Sequence, residues 1–323
     1  MIDIGIIGCG GLGKVHADAL TQVPDARVVA LCDPVPGAAE RVRDASAPEA
    51  ACSTDPEQLL ADDRLAAIWI ATPNDSHADL AIRALSAGKH VFVEKPLART
   101  AEECAAIMAA ADAADRLVMA GYKMRFFEMI TKARELVPDP ISVHVQVLDG
   151  RWPDDRWVND PASGGGNVAA QGCHGTDLIR HLVGKDPREV YAVGGPFYST
   201  RVTTNLSAVY RFDDDVSATL TVGDADTPPA TSKFFAQLVG DGVSATCSSR
   251  LTELTFHRTG HEPEVFRGPE VPWHVEDAAF CAAITAGGPS PIDARDGWYA
   301  TAMTEFAITS ATEHRPVEIT IPG

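Results

Sequence analysis

The sequence predicts an α/β chain: a doubly wound parallel sheet first, then an α+β half with a large, mostly antiparallel sheet. Three observations carry this. Short β-branched runs alternate with helical patterns up to residue 122, and a glycine cluster separates the first run from the first helix. Beyond that point longer runs of period 2 follow one another, with turn residues between several of them. The predicted domains are 1–122 and 123–323, with the C-terminal helix packing back on the first.

Taken in order, "IDIGIIG" reads as a buried strand by its length and β-branching, and "KVHADALTQV" as the helix after the glycine turn. "ARVVALCD", "AAERVRDA", "AAIWIATP", "ADLAIRALSAG" and "HVFVEKP" continue the alternation as strand, helix, strand, helix, strand. "TAEECAAIMAAADAAD" is a helix opened by Thr100, with Glu103 completing a capping box, and "RLVMAGY" closes the series. After it "EMITKARELV" is a helix, and "ISVHVQVLD", "REVYAVGG", "TTNLSAVYRFDD", "VSATLTVGD", "KFFAQLVG" and "LTELTFH" are strands, with "FDDDVS" a turn between two of them. The helices "VEDAAFCAAITAG" and "GWYATAMTEFAITSAT" precede a last strand, "VEITI". A few helices on one face of such a sheet leave the other face uncovered, which favours self-association.

The 323 residues suit two domains, and a hydrophobic content of 45% with 22% charged residues is ordinary for a globular chain. A formal net charge of −18 argues against nucleic acid or an anionic membrane as partner. It leaves an anionic cofactor open, because backbone amides at a helix start bind phosphate without lysine. No apolar run is long enough for a membrane span, and "MIDIGIIGCGG" lacks the basic flank and cleavage site of a signal peptide. The seven cysteines are scattered and show no CxxC, a pattern of reduced thiols in a cytoplasm rather than of disulfides or a metal site.

Gly8-Cys9-Gly10-Gly11-Leu12-Gly13 matches G-x-G-x-x-G after a strand and before a helix. Gly8 permits the turn, Gly10 the approach of a pyrophosphate, and Gly13 the packing of helix on strand. Asp33 ends the next strand 20 residues beyond Gly13, where an acid hydrogen-bonds a ribose 2′-hydroxyl. A carboxylate there repels a 2′-phosphate, so NAD is favoured over NADP. Thr72-Pro73-Asn74 and Glu94-Lys95-Pro96 stand at the carboxyl ends of two further strands, the edge where open α/β sheets bind ligands. Lys95 is either a solvated strand-end lysine or a cation placed to stabilise an alkoxide. In "GGGNVAAQGCHGTD" three glycines enter a helix on which Ala170, His174 and Asp177 share a face. His174 there is a general base, or else a core or capping histidine. Trp152, Arg156 and Trp157 precede the glycines and either line a sugar site or form a loose core cluster.

The glycine fingerprint, the run "ATPNDSHADLAIRALSAGKHVFVEKPL" and the overall layout closely resemble the glucose–fructose oxidoreductase / inositol dehydrogenase (Gfo/Idh/MocA) family over essentially the whole chain. The resemblance implies an N-terminal Rossmann domain, a C-terminal mixed-sheet domain, and sugar or cyclitol chemistry in the cleft between them. It implies a catalytic set of Lys95, His174 and Asp177. Cofactor contacts are expected from Gly8, Gly10, Gly11, Leu12, Gly13, Asp33, Thr72, Pro73, Asn74, His77, Glu94 and Lys95. Substrate contacts are expected from Tyr122, Lys123, Arg125, Trp152, Arg156, Trp157 and His174. No metal is expected, and assembly as a homodimer or homotetramer is. In "AGYKMRFF" Tyr122, Arg125 and Phe126 match the family's pattern while Lys123 replaces its asparagine. Ala170 stands where the family has an acid, and Asp177 either supplies part of that charge or turns toward the domain interface. The expected activity is NAD-dependent oxidation of a secondary hydroxyl on a sugar, sugar derivative or cyclitol. The alternatives are a redox-neutral epimerase, lyase or hydrolase that recycles bound NAD, and an NAD-binding sensor without catalysis.

Overall fold

The computed structural model describes residues 1–199, 201–224, 232–270 and 273–322. The chain divides into two compact units: Met1–Ala98, Glu102–Tyr122 and Pro272–Trp298 form the first, and Arg99–Ala101, Lys123–Val271 and Tyr299–Gly323 the second.

The first unit is built from β1 (Ile2–Ile7), α1 (Gly11–Leu20), β2 (Ala26–Cys32), α2 (Ala38–Ser46), β3 (Ala51–Ser53), α3 (Pro56–Leu60), β4 (Ala67–Ile70), α4 (His77–Ser86), β5 (His90–Val93), α5 (Ala101–Ala114) and β6 (Val118–Ala120). Among the described residues its six strands lie in the order β3-β2-β1-β4-β5-β6, and every pair is parallel. The order reverses between β1 and β4, so the carboxyl ends of these two strands flank the switch point of a Rossmann sheet. Helix α1 starts inside the glycine cluster, three residues before the apolar pattern shows it. The sequence reading missed β3 and α3, which are too short for a periodic signal. The start of α3 was nonetheless legible: Asp55 accepts from the Glu57 N–H, and Pro56 sits at the first helical position.

The second unit contains α6 (Glu128–Leu136), β7 (Ser142–Asp149), α7 (Gly166–Val183), β8 (Glu189–Gly195), β9 (Asn205–Arg211), β10 (Ser217–Asp224), β11 (Phe234–Gly240), β12 (Val243–Ser248), β13 (Glu253–Arg258) and β14 (Glu264–Arg267). The chain then runs through α8 (His274–Ala286) and α9 (Ala294–Glu313) to β15 (Val317–Glu318). The sequence reading places α8 in the second domain. It belongs to the first unit, where Phe280 meets the Trp69 ring edge-on at 5.5 Å.

Among the described residues the second sheet has nine strands in the order β14-β13-β12-β11-β7-β10-β9-β8-β15. Only β7 and β10 pair in parallel. β12 and β14 escaped the sequence reading because the alternation in "VSATCS" rests on small residues and "EVFR" is too short for a periodic signal; pairing with their neighbours makes them strands. In the "FDDDVS" turn Asp214 and Asp215 both have φ of 57°, as a type I′ hairpin turn requires.

Helix α7 packs on β7 and β10, and two glycines set how close it comes. A Cβ on Gly175 would lie 2.5 Å from Leu220 Cδ1, and one on Gly172 would lie 3.1 Å from Thr304 Cγ2. The opposite sheet face carries Tyr191, Val193 and Val209, which are 44%, 63% and 51% exposed. Gly175→Ala is therefore expected to cost about 1–3 kcal/mol through overpacking. The measurement is the urea midpoint, which falls with the slope unchanged.

Candidate active site

The first unit contributes a glycine loop that a side chain would block. At Gly8, whose φ is +95°, a Cβ would lie 2.6 Å from the Ala71 carbonyl; at Gly13 it would lie 1.8 Å from the Gly8 oxygen. At Gly10 and Gly11 a Cβ would meet nothing within 4 Å. The start of α1 has no side-chain cap and no acid in its first turn, the arrangement that suits a phosphate. Leu12 is exposed beside them. Asp33 is oriented at the end of β2 by two backbone donors, Cys9 N–H at 2.8 Å and Val35 N–H at 2.9 Å. Burial, and then the Asp33 charge, push the Cys9 thiol up to about 12, so it stays protonated and inert. These features fit the pyrophosphate and ribose of a dinucleotide.

Beyond β4, the Thr72 hydroxyl accepts from Ser76 at 2.7 Å; Pro73 is exposed and Asn74 buried. His77 was grouped with the cofactor contacts, but both its ring nitrogens face backbone carbonyls: Nδ1 lies 2.8 Å from Pro96 O and Nε2 3.0 Å from Thr72 O. Burial lowers its pKa, so the neutral ring donates to one carbonyl only, but both nitrogens are turned to backbone and neither is offered to a ligand. Glu94 is also turned inward, with one oxygen on His16 at 3.0 Å and the other on the Lys95 N–H at 3.0 Å. Lys95 is half-buried at the turn that follows. Tyr122, expected at the substrate, is wholly buried.

In the second unit the glycine triplet has a steric explanation. A Cβ on Gly164 would sit 2.3 Å from the Val158 backbone, and Gly165 and Gly166 have φ of +71° and +88°. The chain thereby enters α7 with His174, Ala170 and Asp177 all buried. His174 lies edge-on to Phe234, with ring centroids 6.1 Å apart. Both oxygens of Asp177 accept from Arg125: Nε stands 3.0 and 3.1 Å away and Nη2 2.5 Å. The two were expected separately, as a catalytic acid and a substrate contact; they form a mostly buried ion pair with each other. Lys123 is half-exposed on the same short turn as Arg125, Lys123–Phe126.

The sequence reading missed Asn167. It is wholly buried, and neither its amide nitrogen nor its oxygen has a hydrogen-bond partner among the described residues. It stands one turn before Ala170 and two before His174, on the same helix face. An asparagine at a helix start reads as a cap, which hid it. Because α7 passes Leu220 at Gly175 and Val222 nearer Gly172, its first turn lies toward Asp224, the end of β10. Burial pushes the Asp224 carboxyl up; its Oδ2 accepts from Tyr198 and from the Trp152 N–H at 3.1 Å, while Oδ1 has no partner among the described residues. Trp152 is half-buried there, whereas Arg156 is exposed and Trp157 is 48% exposed on the turn Trp157–Asn159. Unpartnered buried amides and carboxyls are the groups a polyhydroxylated ligand would satisfy.

Residues 2–122 match the model described as the oxidoreductase family with NAD-binding Rossmann fold, GFO/IDH/MocA, and residues 133–245 match that family's C-terminal domain. The chain is 28% identical over 325 residues to the D-xylose 1-dehydrogenase (NADP(+)) 2 of Haloferax volcanii, covering 98% of this chain and 99% of the relative. It is 27% identical over 360 residues to the inositol 2-dehydrogenase of Rhizobium meliloti, with 98% and 99% covered. The crystal structure of an oxidoreductase domain protein from Kribbella flavida superposes with a TM-score of 0.89 at 24% identity, covering 100% of both chains.

Asp177→Asn removes the carboxylate that faces the Arg125 guanidinium and is expected to cost about 3 kcal/mol. Adding Arg125→Met recovers most of that loss, because the uncompensated charge is gone. Thermal unfolding of the single and double variants is the measurement.

Proposed function

The chain belongs to the GFO/IDH/MocA oxidoreductase family, and on that premise we propose that it oxidises a secondary hydroxyl of a sugar, sugar derivative or cyclitol with NAD. The observation that carries this reading is the helix face shared by His174 and Asn167: a buried imidazole and, two turns before it, a buried amide that has no partner among the described residues. A base that takes a hydroxyl proton and an amide that binds neighbouring hydroxyls suit a polyol.

Bound NAD would supply the carbon that accepts the hydride. Gly10, Gly11 and the first turn of α1 hold its pyrophosphate, and Asp33 takes the ribose hydroxyls. Although the Haloferax relative's name carries NADP(+), the oriented Asp33 carboxylate favours NAD here. His174 removes the hydroxyl proton, and the Lys95 ammonium stabilises the developing alkoxide. Asn167 restores polarity to a helix face on which Ala170 stands where the family has an acid, but an amide neither gives up nor takes a proton at neutral pH. Proton transfer therefore rests on His174 and Lys95. The missing acid is also what favours a second reading, a redox-neutral conversion on retained NAD.

The open face of the second sheet supports a homodimer or homotetramer. Gly175 faces Val145, and Val145 pairs through Ala236 with Cys247, whose thiol contacts Met129 on α6. Helices α6 and α7 thus share one face, and Tyr191 and Val209 are cross-strand neighbours on the other.

With a panel of aldoses and cyclitols, stoichiometric accumulation of NADH rather than NADPH is the expected result. Product formed without NADH would establish the redox-neutral reading instead. His174→Asn should lower kcat by at least ~100-fold, the lower end for general acid–base catalysis; near-normal turnover removes His174 from the mechanism. Val209→Glu should shift sedimentation equilibrium toward the monomer, and an unchanged mass would exclude that face.

A further inference from the structure

The first unit buries a line of alternating charges that the family reading leaves unexplained. His16, three residues after Gly13 on α1, is wholly buried. Its Nδ1 lies 2.9 Å from Asp277 Oδ1 on α8, and its Nε2 lies 3.0 Å from Glu94 Oε1 just past β5. Asp277 Oδ1 also accepts the Trp69 indole N–H at 2.8 Å. A neutral imidazole has one N–H, and two carboxylates here demand two, so the ring is an imidazolium.

Burial alone would depress His16; the charge and hydrogen bond of Asp277, and then those of Glu94, hold it well above its ordinary value. Burial would likewise raise Glu94, but the His16 hydrogen bond and charge, and then the Lys95 charge, keep it below its usual range. Asp277, His16, Glu94 and Lys95 thus alternate in sign. Phe92 and Trp273 face the imidazole at 4.9 and 5.5 Å between ring centroids. Among the described residues, Cys281 on α8 also feels the Asp277 charge, and His77 on α4 those of Glu94 and Lys95.

The backbone says what the line is for. The Glu94 N–H still pairs with Ile70 O across the sheet at 2.9 Å. The next amide, that of Lys95, takes its acceptor from the Glu94 side chain at 3.0 Å. The geometry points to His16 as a positioning residue: it ties the helix that follows the glycine loop to Glu94, and Glu94 in turn fixes the backbone from which Lys95 projects. The consequence for turnover rests on the reading of Lys95 as the group that stabilises the alkoxide.

The test is amide hydrogen exchange by NMR on the full chain, with steady-state kinetics beside it. In His16→Gln, exchange at the Lys95 amide should rise by about tenfold or more while Val91–Val93 keep their protection. With a sugar or cyclitol that the parent turns over, kcat should fall on the order of 10–100-fold and KM stay within about threefold, the signature of a displaced group. Adding Glu94→Gln should restore part of both, because it removes one of the two carboxylates that lose their counter-charge with His16, leaving Asp277 with the Trp69 N–H. Unchanged exchange at Lys95 in a folded His16→Gln variant overturns the proposal, as does a loss of protection spread equally over β5. If His16→Gln does not fold, the 15N spectrum of the parent's imidazoles decides: two protonated nitrogens on His16 at neutral pH support the proposal, and a neutral ring overturns it. Rising exchange at Lys95 together with parent-like turnover of Lys95→Ala would uphold the His16 tie and remove Lys95 from the chemistry.

Discussion

Close backbone approach, made possible by glycine, is the constraint on which both functional helices depend. In the first unit the Gly8 carbonyl occupies the space that a Gly13 side chain would need, so α1 is seated directly on β1. In the second, Gly175 lets α7 rest against Leu220 and Val147. Interiors are packed too densely to absorb even one extra methyl without displacement. Each helix is therefore fixed in height over its sheet, and with it the polar groups it carries. The open first turn of α1 and the shared face of Asn167 and His174 both follow from that seating.

The buried polar groups fall into two kinds. Some are fully engaged inside the protein: His77 between two carbonyls, Glu94 between His16 and the Lys95 amide, Asp177 against Arg125. Others are buried with no partner among the described residues, as are both amide atoms of Asn167 and one oxygen of Asp224. The first kind sets geometry. The second costs free energy until something polar fills it, on the order of 1–3 kcal/mol for each unsatisfied group. A polyol is suited to that task because each hydroxyl both donates and accepts.

Much of this was legible beforehand. The alternation of β-branched runs with helical patterns pointed to the parallel sheet, and the glycine spacing to the tight turn between β1 and α1. The harder residues were those whose role depends on partners far along the chain. His16 and Asp277 are separated by 261 positions. Their one local trace is a polar residue on the buried side of an otherwise apolar helix pattern, a histidine in "KVHADAL" and an acid in "VEDAAF". Asn167 left a weaker trace still, because a helix start is where asparagine is commonest for other reasons.

By itself the sequence determined the fold class, the family, the glycine loop with its acid, and the segment that carries His174. Those features are local: they depend on periodicity, on which residues tolerate positive φ, and on fixed spacings within one strand–turn–helix. Only the tertiary structure decided that residues 272–298 join the first unit, that Asp177 and Arg125 face each other, and that Glu94 and His77 point inward. A buried charge is tolerable only beside a counter-charge or a donor, and which partner arrives there is set by packing between elements distant in the chain.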